Sequence, residues 1–369
     1  MPSFYRDFVR HVAFLFDAET MHKAALFAGQ QAGKYKPLRD LFHSLYYHSD
    51  PALTVRLGHV TYPSPAGLAA GYDKYGQLFD IIPHTSAGHL EFGTITPSKR
   101  KGNPGTRCWR LPDDYAMINR MSLNNSGLVK SAETVKEREF EIPVHVNFDP
   151  NVFRVEDTQP DSDVENMVAA REILWDPPFP KVLNISCPNA EDGTAYEDPE
   201  RLDALLGKVD IIRKRKPRPV YIKVSHDLAN DQLLDILYVG EKHGVTGYIL
   251  TNTSLSRNGL ITSSRKIRKI GNGGLSGAPL MERNLEMVKL ARKTLGDEEI
   301  IIGCGGIGCI EGLHPAFDTF RYLENGADMV QVLTGVPYWG PSIFGDIVTE
   351  LPKYLEGYGS LEEFRKRRG

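Results

Sequence analysis

Two rhythms of apolar residues divide the chain. The first fifty residues carry apolar side chains at helical spacing; beyond them short β-rich runs alternate with amphipathic stretches. In the opening segment Phe4, Tyr5, Phe8, Val9, Val12, Leu15 and Phe16 share one helical face, opposite Arg6, Asp7, Arg10 and His11, with Phe14 the one apolar intruder. Asp17 is placed to cap a second helix running toward Gly29. After Pro37, Leu38, Leu41, Phe42, Leu45 and Tyr46 form the stripe of a third. Ten of the 35 aromatic residues fall in this segment, so two readings stand: helices packed on the main domain, or an interfacial segment that touches a membrane surface or frames an apolar tunnel mouth.

From about residue 51 the runs Ala66–Ala70, His89–Phe92, Val144–Phe148, Val182–Ile185, Val220–Val224, Gly247–Leu250, Glu299–Ile302 and Met329–Leu333 read as strands. Amphipathic helices are predicted between several of them, over Arg201–Lys214, Asn230–His243 and Asn284–Leu295. Alternation of strand and helix predicts parallel strands joined by right-handed crossovers. Eight such units favour an α/β fold of the (β/α)8 TIM-barrel type, residues 51–369, with a small N-terminal helical extension, residues 1–50. A Rossmann-like sheet is the alternative, weakened because no G-x-G-x-x-G follows the first strand.

Composition narrows the function without naming it. The net charge of −3 gives no electrostatic case for nucleic acid. Four cysteines without a Cys-x-x-Cys pair argue against a disulfide framework or zinc knuckle, and no clustered carboxylates or paired histidines suggest a metal. No run of about eighteen apolar residues is present to span a bilayer, and neither a secretory nor a transit leader is expected at the N-terminus.

Barrel chemistry sits at the C-terminal ends of the strands. Gly71-Tyr72-Asp73-Lys74 follows the first run, and Gly93-Thr94 and then Asn119-Arg120-Met121 follow the second. The later strand ends carry Asn147, Asn184 to Asn189, Lys223 and Thr251-Asn252-Thr253. The last two are followed by Gly303-Cys304-Gly305-Gly306 and Leu333-Thr334-Gly335. Glycine turns in those last positions let backbone N–H groups approach a phosphate, or simply make tight turns. Gly273-Gly274-Leu275-Ser276-Gly277 is expected to add a third such turn. Lys74 and Lys223 are either solvated charges or ammonium groups for an anionic ligand. The amides of Asn119, Asn147, Asn184, Asn189 and Asn252 suit a planar ligand with alternating donors and acceptors. Cys187, beside Pro188 after the fourth run, is a candidate general base, since a thiolate can remove a carbon-bound proton. A small buried hydrophobe is its plainer reading, and the expected one for Cys108, Cys304 and Cys309. His226 is a rival base for which a loop or capping role is expected.

Taken together, GLAAGYDKYG, FGTITP, INRMSLNN, LNISCPN, IKVSHDL, TNTSLSR, GGLSG and GCGGI occur in an order that resembles dihydroorotate dehydrogenase over nearly the whole chain. The N-terminal helices resemble the membrane-associated, quinone-using class. The resemblance implies an FMN site of Ala70, Gly71, Tyr72, Asp73, Lys74, Thr94, Asn147, Asn184, Lys223, Thr251, Gly277, Gly306, Leu333 and Thr334. It implies a dihydroorotate site of Lys74, Asn119, Arg120, Met121, Ser122, Leu123, Asn184, Asn189, Asn252 and Thr253. Cys187 would take the proton from C5 while hydride leaves C6 for the flavin, and a quinone would reoxidise the flavin through the N-terminal helices. Four features depart from that class: Cys187 replaces a serine, Ser122-Leu123 a Gly-Phe, Phe148-Asp149-Pro150 a Gly-Lys-Asn, and Leu333 an aromatic.

The expectation is therefore an FMN enzyme of pyrimidine biosynthesis that oxidises dihydroorotate to orotate with a quinone. It is expected to be a monomer, peripheral on the cytoplasmic side of a membrane or else cytoplasmic, and without nucleic acid as a partner. The alternatives are a soluble-type dihydroorotate oxidase using fumarate, another FMN barrel such as a dihydrouridine synthase, and a non-catalytic barrel that binds a phosphorylated ligand.

Overall fold

The computed structural model describes residues 4–158, 161–186 and 195–368. Its thirteen described strands are β1 (Val55–Leu57), β2 (Val60–Tyr62), β3 (Ala66–Leu68), β4 (Leu90–Ile95), β5 (Cys108–Leu111), β6 (Ala116–Asn119) and β7 (Val144–Phe148) in the first half. The second half holds β8 (Lys181–Asn184), β9 (Val220–Val224), β10 (Gly247–Leu250), β11 (Gly274–Gly277), β12 (Ile300–Cys304) and β13 (Met329–Val332).

Eight of them, β3, β4, β7, β8, β9, β10, β12 and β13, pair in chain order as a closed barrel. Every pairing is parallel, and the ring shuts where Val330 of β13 stands opposite Ala66 of β3. These are the eight runs read from the sequence, with ends differing by three residues at most. Strands covered on both faces need apolar residues at successive positions; β4, β7 and β9 are buried at every residue. The helices Pro199–Arg215, Asn230–Lys242 and Met281–Leu295 form between them as expected.

Two elements were not anticipated. Strands β1 and β2 make an antiparallel hairpin ahead of the barrel. A three-stranded antiparallel sheet, β5–β6–β11, is assembled from two excursions, one between β4 and β7 and the other between β10 and β12. Its third strand corrects one expectation: Gly274 to Gly277 is extended and pairs with β6, with Gly274 opposite Asn119 and Gly277 opposite Ala116, so it is a strand and not a turn. Glycine is required there for close approach, because a Cβ on Gly274 would lie 2.1 Å from Thr253 Oγ1.

The N-terminal segment begins in π-helical geometry over Tyr5–Val9 and continues as Arg10–Phe14. Asp17 caps the next helix, Ala18–Lys34, by accepting from the backbone N–H of Thr20 at 2.8 Å. This helix extends five residues past Gly29 because that glycine and Gly33 let it approach the barrel: a Cβ at either would meet Leu78 at 2.6 Å or Asp80 at 2.9 Å. The third helix spans Lys36–Tyr46.

At the N-terminal end of β13, Asp328 is buried and ion-paired to Arg292 at 2.7 Å, Arg365 at 2.7 Å and Arg368 at 2.8 Å. Burial works against its charge, but the three guanidinium groups hold the carboxyl below the usual range. The C-terminal helix Leu361–Arg367 is thereby fastened to the barrel. Asp328→Asn is expected to leave these cations without a counter-charge and to cost about 3 kcal/mol, read as a lowered thermal unfolding midpoint; an unchanged midpoint would show the cluster to be dispensable.

Candidate active site

A cavity of about 800 Å³ starts at the C-terminal rim of the barrel and continues between the N-terminal helices. The rim supplies its polar end. The Asn184 amide at the end of β8 donates to Thr94 Oγ1 at 2.9 Å, and Ser186 Oγ donates to Asn184 Oδ1 at 3.1 Å. Asn252 Nδ2 donates to Asn184 Oδ1 at 3.2 Å and to Ser186 Oγ at 3.0 Å, while its own carbonyl accepts from the Thr253 amide at 2.8 Å. Three strand ends, those of β4, β8 and β10, are thus fixed by one chain of hydrogen bonds.

Two ammonium groups face the same space. Lys74 donates to Asn124 Oδ1 at 2.7 Å. Lys223 lies 3.7 Å from Glu91 Oε2 and donates to Gln331 Oε1 at 3.3 Å. Burial is the largest single influence on the Lys223 pKa and acts to lower it, yet the Glu91 charge and hydrogen bond, together with the nearby Cys304, turn the net direction upward.

The glycine turn after β12 is secured from behind. Asn284 donates to the Cys304 carbonyl at 2.8 Å, accepts from Thr251 Oγ1 at 2.8 Å, and has its Oδ1 2.8 Å from His226 Nδ1. Tyr322 donates to the Gly305 carbonyl at 2.8 Å. His226, for which a loop or capping role was expected, lies in the loop after β9 and contacts Asn284.

The middle of the cavity is walled by the excursion sheet, whose pleat decides what each residue sees. Cys108, Arg110, Met117, Asn119 and Ser276 face the cavity. Trp109, Leu111, Ala116, Ile118 and Leu275 face a separate small core with Ile267, Ile270 and Leu280. Beyond the wall the cavity becomes apolar, between Val9, Ala13 and Phe14 on one side and Ala24, Ala25, Ala28 and Ala32 on the other. Its polar residues here include Glu19, His22 and Arg110. His22 packs edge-on to Tyr72 with ring centroids 4.7 Å apart. Burial, with some help from Lys74, drops its pKa to about 4, so the ring is neutral near pH 7. Arg110 donates to the carbonyls of Ala13 at 3.1 Å and Phe16 at 3.2 Å and lies over the Phe14 ring.

Of the residues singled out from the sequence, Ala70, Gly71, Tyr72, Lys74, Thr94, Asn119, Met121, Ser122, Leu123 and Asn184 line the cavity. So do Lys223, Thr251, Asn252, Thr253, Gly306, Leu333 and Thr334. Ser122 and Leu123 hold φ of 55° and 50°, an uncommon region for side chains of their kind, and so mark a constrained loop.

Four stand elsewhere. The Asp73 carboxylate turns into its own loop and accepts from the amides of Tyr75, Gln77 and Leu78 at 3.2, 3.0 and 2.7 Å. Asn147 is buried behind the rim and donates to Glu91. The Arg120 guanidinium stacks on Trp109 and donates to the Thr106 carbonyl at 3.2 Å, on the far face of the sheet. Gly277 ends β11 beside Ala116. Cys187 and Asn189 lie outside the described residues. Cys108, Cys304 and Cys309 are buried, as expected, and burial raises each thiol, Cys108 to about 11.

Sequence reasoning missed Glu91, Asn124, Asn284 and Gln331, and read Ser276 only as part of a glycine-rich turn. Glu91 and Gln331 did carry a signal, as polar residues set inside the apolar runs Leu90-Glu91-Phe92 and Val330-Gln331-Val332. Among the described residues no group of three or more His, Cys, Asp or Glu could hold a metal, and no helix is long and apolar enough to cross a membrane.

The sequence matches the family Dihydroorotate dehydrogenase over residues 52–355. The chain belongs to that family. It is 34% identical to a dihydroorotate dehydrogenase (quinone) of Roseiflexus sp. (strain RS-1), covering 98% of both chains. It is 32% identical to the corresponding protein of Christiangramia forsetii over 93% of this chain and 97% of the relative. Among solved structures, the ligand-free dihydroorotate dehydrogenase of Eimeria tenella superposes with a TM-score of 0.79 at 25% identity, covering 96% of this chain and 100% of that one.

In this family member the helix Ala18–Lys34 is held by charge. Glu19 is bidentate to Arg107 of the segment leading into β5, with one contact at 3.0 Å, and pairs with Lys23 at 2.8 Å. The Arg107 hydrogen bonds bring the Glu19 pKa from 4.5 to about 2. A carboxyl lowered on folding stabilises fully above its unfolded pKa, and that contribution fades as pH falls from about 4.5 toward about 2. Glu19→Gln is expected to abolish this pH dependence and to quicken amide exchange across Ala18–Lys34, with exchange in the barrel strands unaffected. Equal exchange in both proteins would sink the clamp.

Proposed function

We propose that this chain oxidises (S)-dihydroorotate to orotate in pyrimidine biosynthesis, using FMN as its resident group and a quinone as acceptor. The carrying observation is the single cavity that joins a polar barrel rim to an apolar passage between the N-terminal helices.

The residues present fit a flavin. Gly71 has φ of 93°, and a Cβ there would stand 3.7 Å or more from its nearest neighbours, so the backbone leaves room for a flat ring system. Lys223, Thr94, Asn184 and Thr251 supply donors and acceptors around that space, and Gly305, Gly306, Thr334 and Ser276 surround room for a phosphate. Asp73, Asn147 and Gly277 would act from behind as supports. When bound, FMN supplies the hydride acceptor and passes electrons onward one or two at a time.

The remaining chemistry belongs to the side chains. Lys74, oriented by Asn124, would pair with the substrate carboxylate. Asn184 and Asn252 are aligned by their mutual hydrogen bond, and each amide nitrogen carries two hydrogens, which suits a ring with alternating N–H and C=O edges. Asn119, Met121, Ser122, Leu123, Asn189 and Thr253 would complete that pocket, while Arg120 stays on the far face of the sheet. Cys187 would accept the C5 proton as thiolate. The excursion sheet, which walls the cavity on one side, would limit water access there and strengthen these contacts.

Residues 1–50 would form the access module. Exposed Phe4, Phe8, Leu15, Phe16, Leu38 and Leu41 give it an apolar outer surface, supporting peripheral contact with a membrane at its cytoplasmic face.

Purified protein is expected to be yellow and to form orotate from dihydroorotate with a quinone analogue. Cys187→Ala should lower turnover by about 10²–10⁴-fold while the flavin absorbance persists, and Cys187→Ser should move the rising limb of the pH profile above the thiol range near about 8.5. Unaltered turnover would remove Cys187 from the reaction. Efficient fumarate reduction that survives deletion of residues 1–50 would replace the quinone as acceptor.

A further inference from the structure

Lys223 faces the cavity, but what stands behind it is unusual for a barrel interior. Glu91, on β4, is fully buried with its Oε2 3.7 Å from the ammonium. Its other oxygen is held by the amide of Asn147 on β7. On the opposite side Gln331 of β13 accepts from Lys223 at 3.3 Å, and its amide lies 3.4 Å from His89 Nε2. His89 stacks on His145 with centroids 4.6 Å apart, and Tyr62 OH is 3.0 Å from His145 Nε2. Burial keeps both imidazoles neutral, and the nearby Cys304 thiol is neutral too. One positive and one negative charge therefore share this level of the barrel, the positive one toward the cavity.

Stability does not explain the arrangement. Desolvating two ions consumes most of what their attraction returns, and the Gln331 carbonyl already offers the ammonium a partner. Placement does explain it. An ammonium at the wall favours whichever ligand state carries more negative charge, and a carboxylate close behind offsets much of that field.

We propose that Glu91 is a positioning residue that fixes Lys223 against the wall and sets the net charge presented to the bound flavin, holding its reduction potential low enough for electrons to leave. This rests on the FMN reading above. It predicts opposite responses from two substitutions flanking one ammonium. Glu91→Gln removes the offsetting charge and should raise the potential, most at the acid end, where Lys223 keeps its proton. Gln331→Glu adds a negative charge and should lower it, most at the alkaline end, where the new carboxyl is ionised.

The test uses holoenzyme and both variants, titrated reductively against indicator dyes between about pH 6 and 9, with neither dihydroorotate nor quinone present. The expected change is about tenfold in the preference for reduced over oxidised flavin, which is about 30 mV for a two-electron couple. Opposite shifts support the proposal, since a merely structural role would not give the two variants opposite signs. Unmoved potentials, or shifts of one sign, overturn it; if Glu91→Gln does not fold, the sign of the Gln331→Glu shift decides. Wild-type protein that binds no flavin overturns this proposal and the cofactor reading together. Opposite shifts in a protein that fails to oxidise dihydroorotate leave this inference standing and remove the substrate assignment.

Discussion

Closure of the parallel ring is the constraint from which the rest follows. Because β13 pairs in parallel with β3, all eight strands point the same way and every C-terminal end reaches one rim. Residues as distant in sequence as Ala70 and Thr334 become neighbours on one cavity without any long loop having to carry them there. The backbone ladder fixes the spacing, so the side chains need only short hydrogen bonds to reach their final positions. Asn184, Asn252, Ser186 and Thr94 do this on one arc of the rim, and Thr251, Asn284 and Cys304 do it on another.

Charge is used sparingly inside this frame, and three paired instances do structural work. Glu19 and Arg107 hold the helix Ala18–Lys34, Asp328 gathers three arginines at the opposite end, and Lys223 and Glu91 share the interior. The N-terminal segment follows a different logic. Its inner face lines the passage, while its outer face leaves Leu15 83% and Phe4 63% exposed, an apolar surface of the kind that marks an interaction site.

The sequence announced the barrel because its strands are covered on both sides and so appear as compact apolar runs. It did not announce the excursion sheet. Cys108–Leu111 and Ala116–Asn119 are four residues each and alternate between a cavity and a small core, a pattern too short to stand out from loop. The glycines around Ser276 suggested a turn, because glycine freedom and glycine close packing look alike in one dimension; only the approach of Thr253 tells them apart. At the site, residues at strand ends were legible by position, but the direction of a side chain was not. Asp73 and Asn147 sit where ligand contacts are expected, and each turns instead toward protein atoms. Glu91 and Gln331 went unread because a polar residue between apolar neighbours resembles an outward-facing position, whereas here it points inward.

The excursion sheet carries a consequence for how such a protein can change over generations. Two chambers share it as a partition, and alternate residues belong to one or to the other. Exchanging side chains along it would retune either compartment separately, so the partition tolerates drift in composition. Adding or deleting a single residue within β5 or β6 would instead swap its two faces, turning Trp109 and Ile118 into the passage and sending Arg110 and Asn119 into the oily layer behind. Length, more than identity, is what selection must guard in this stretch.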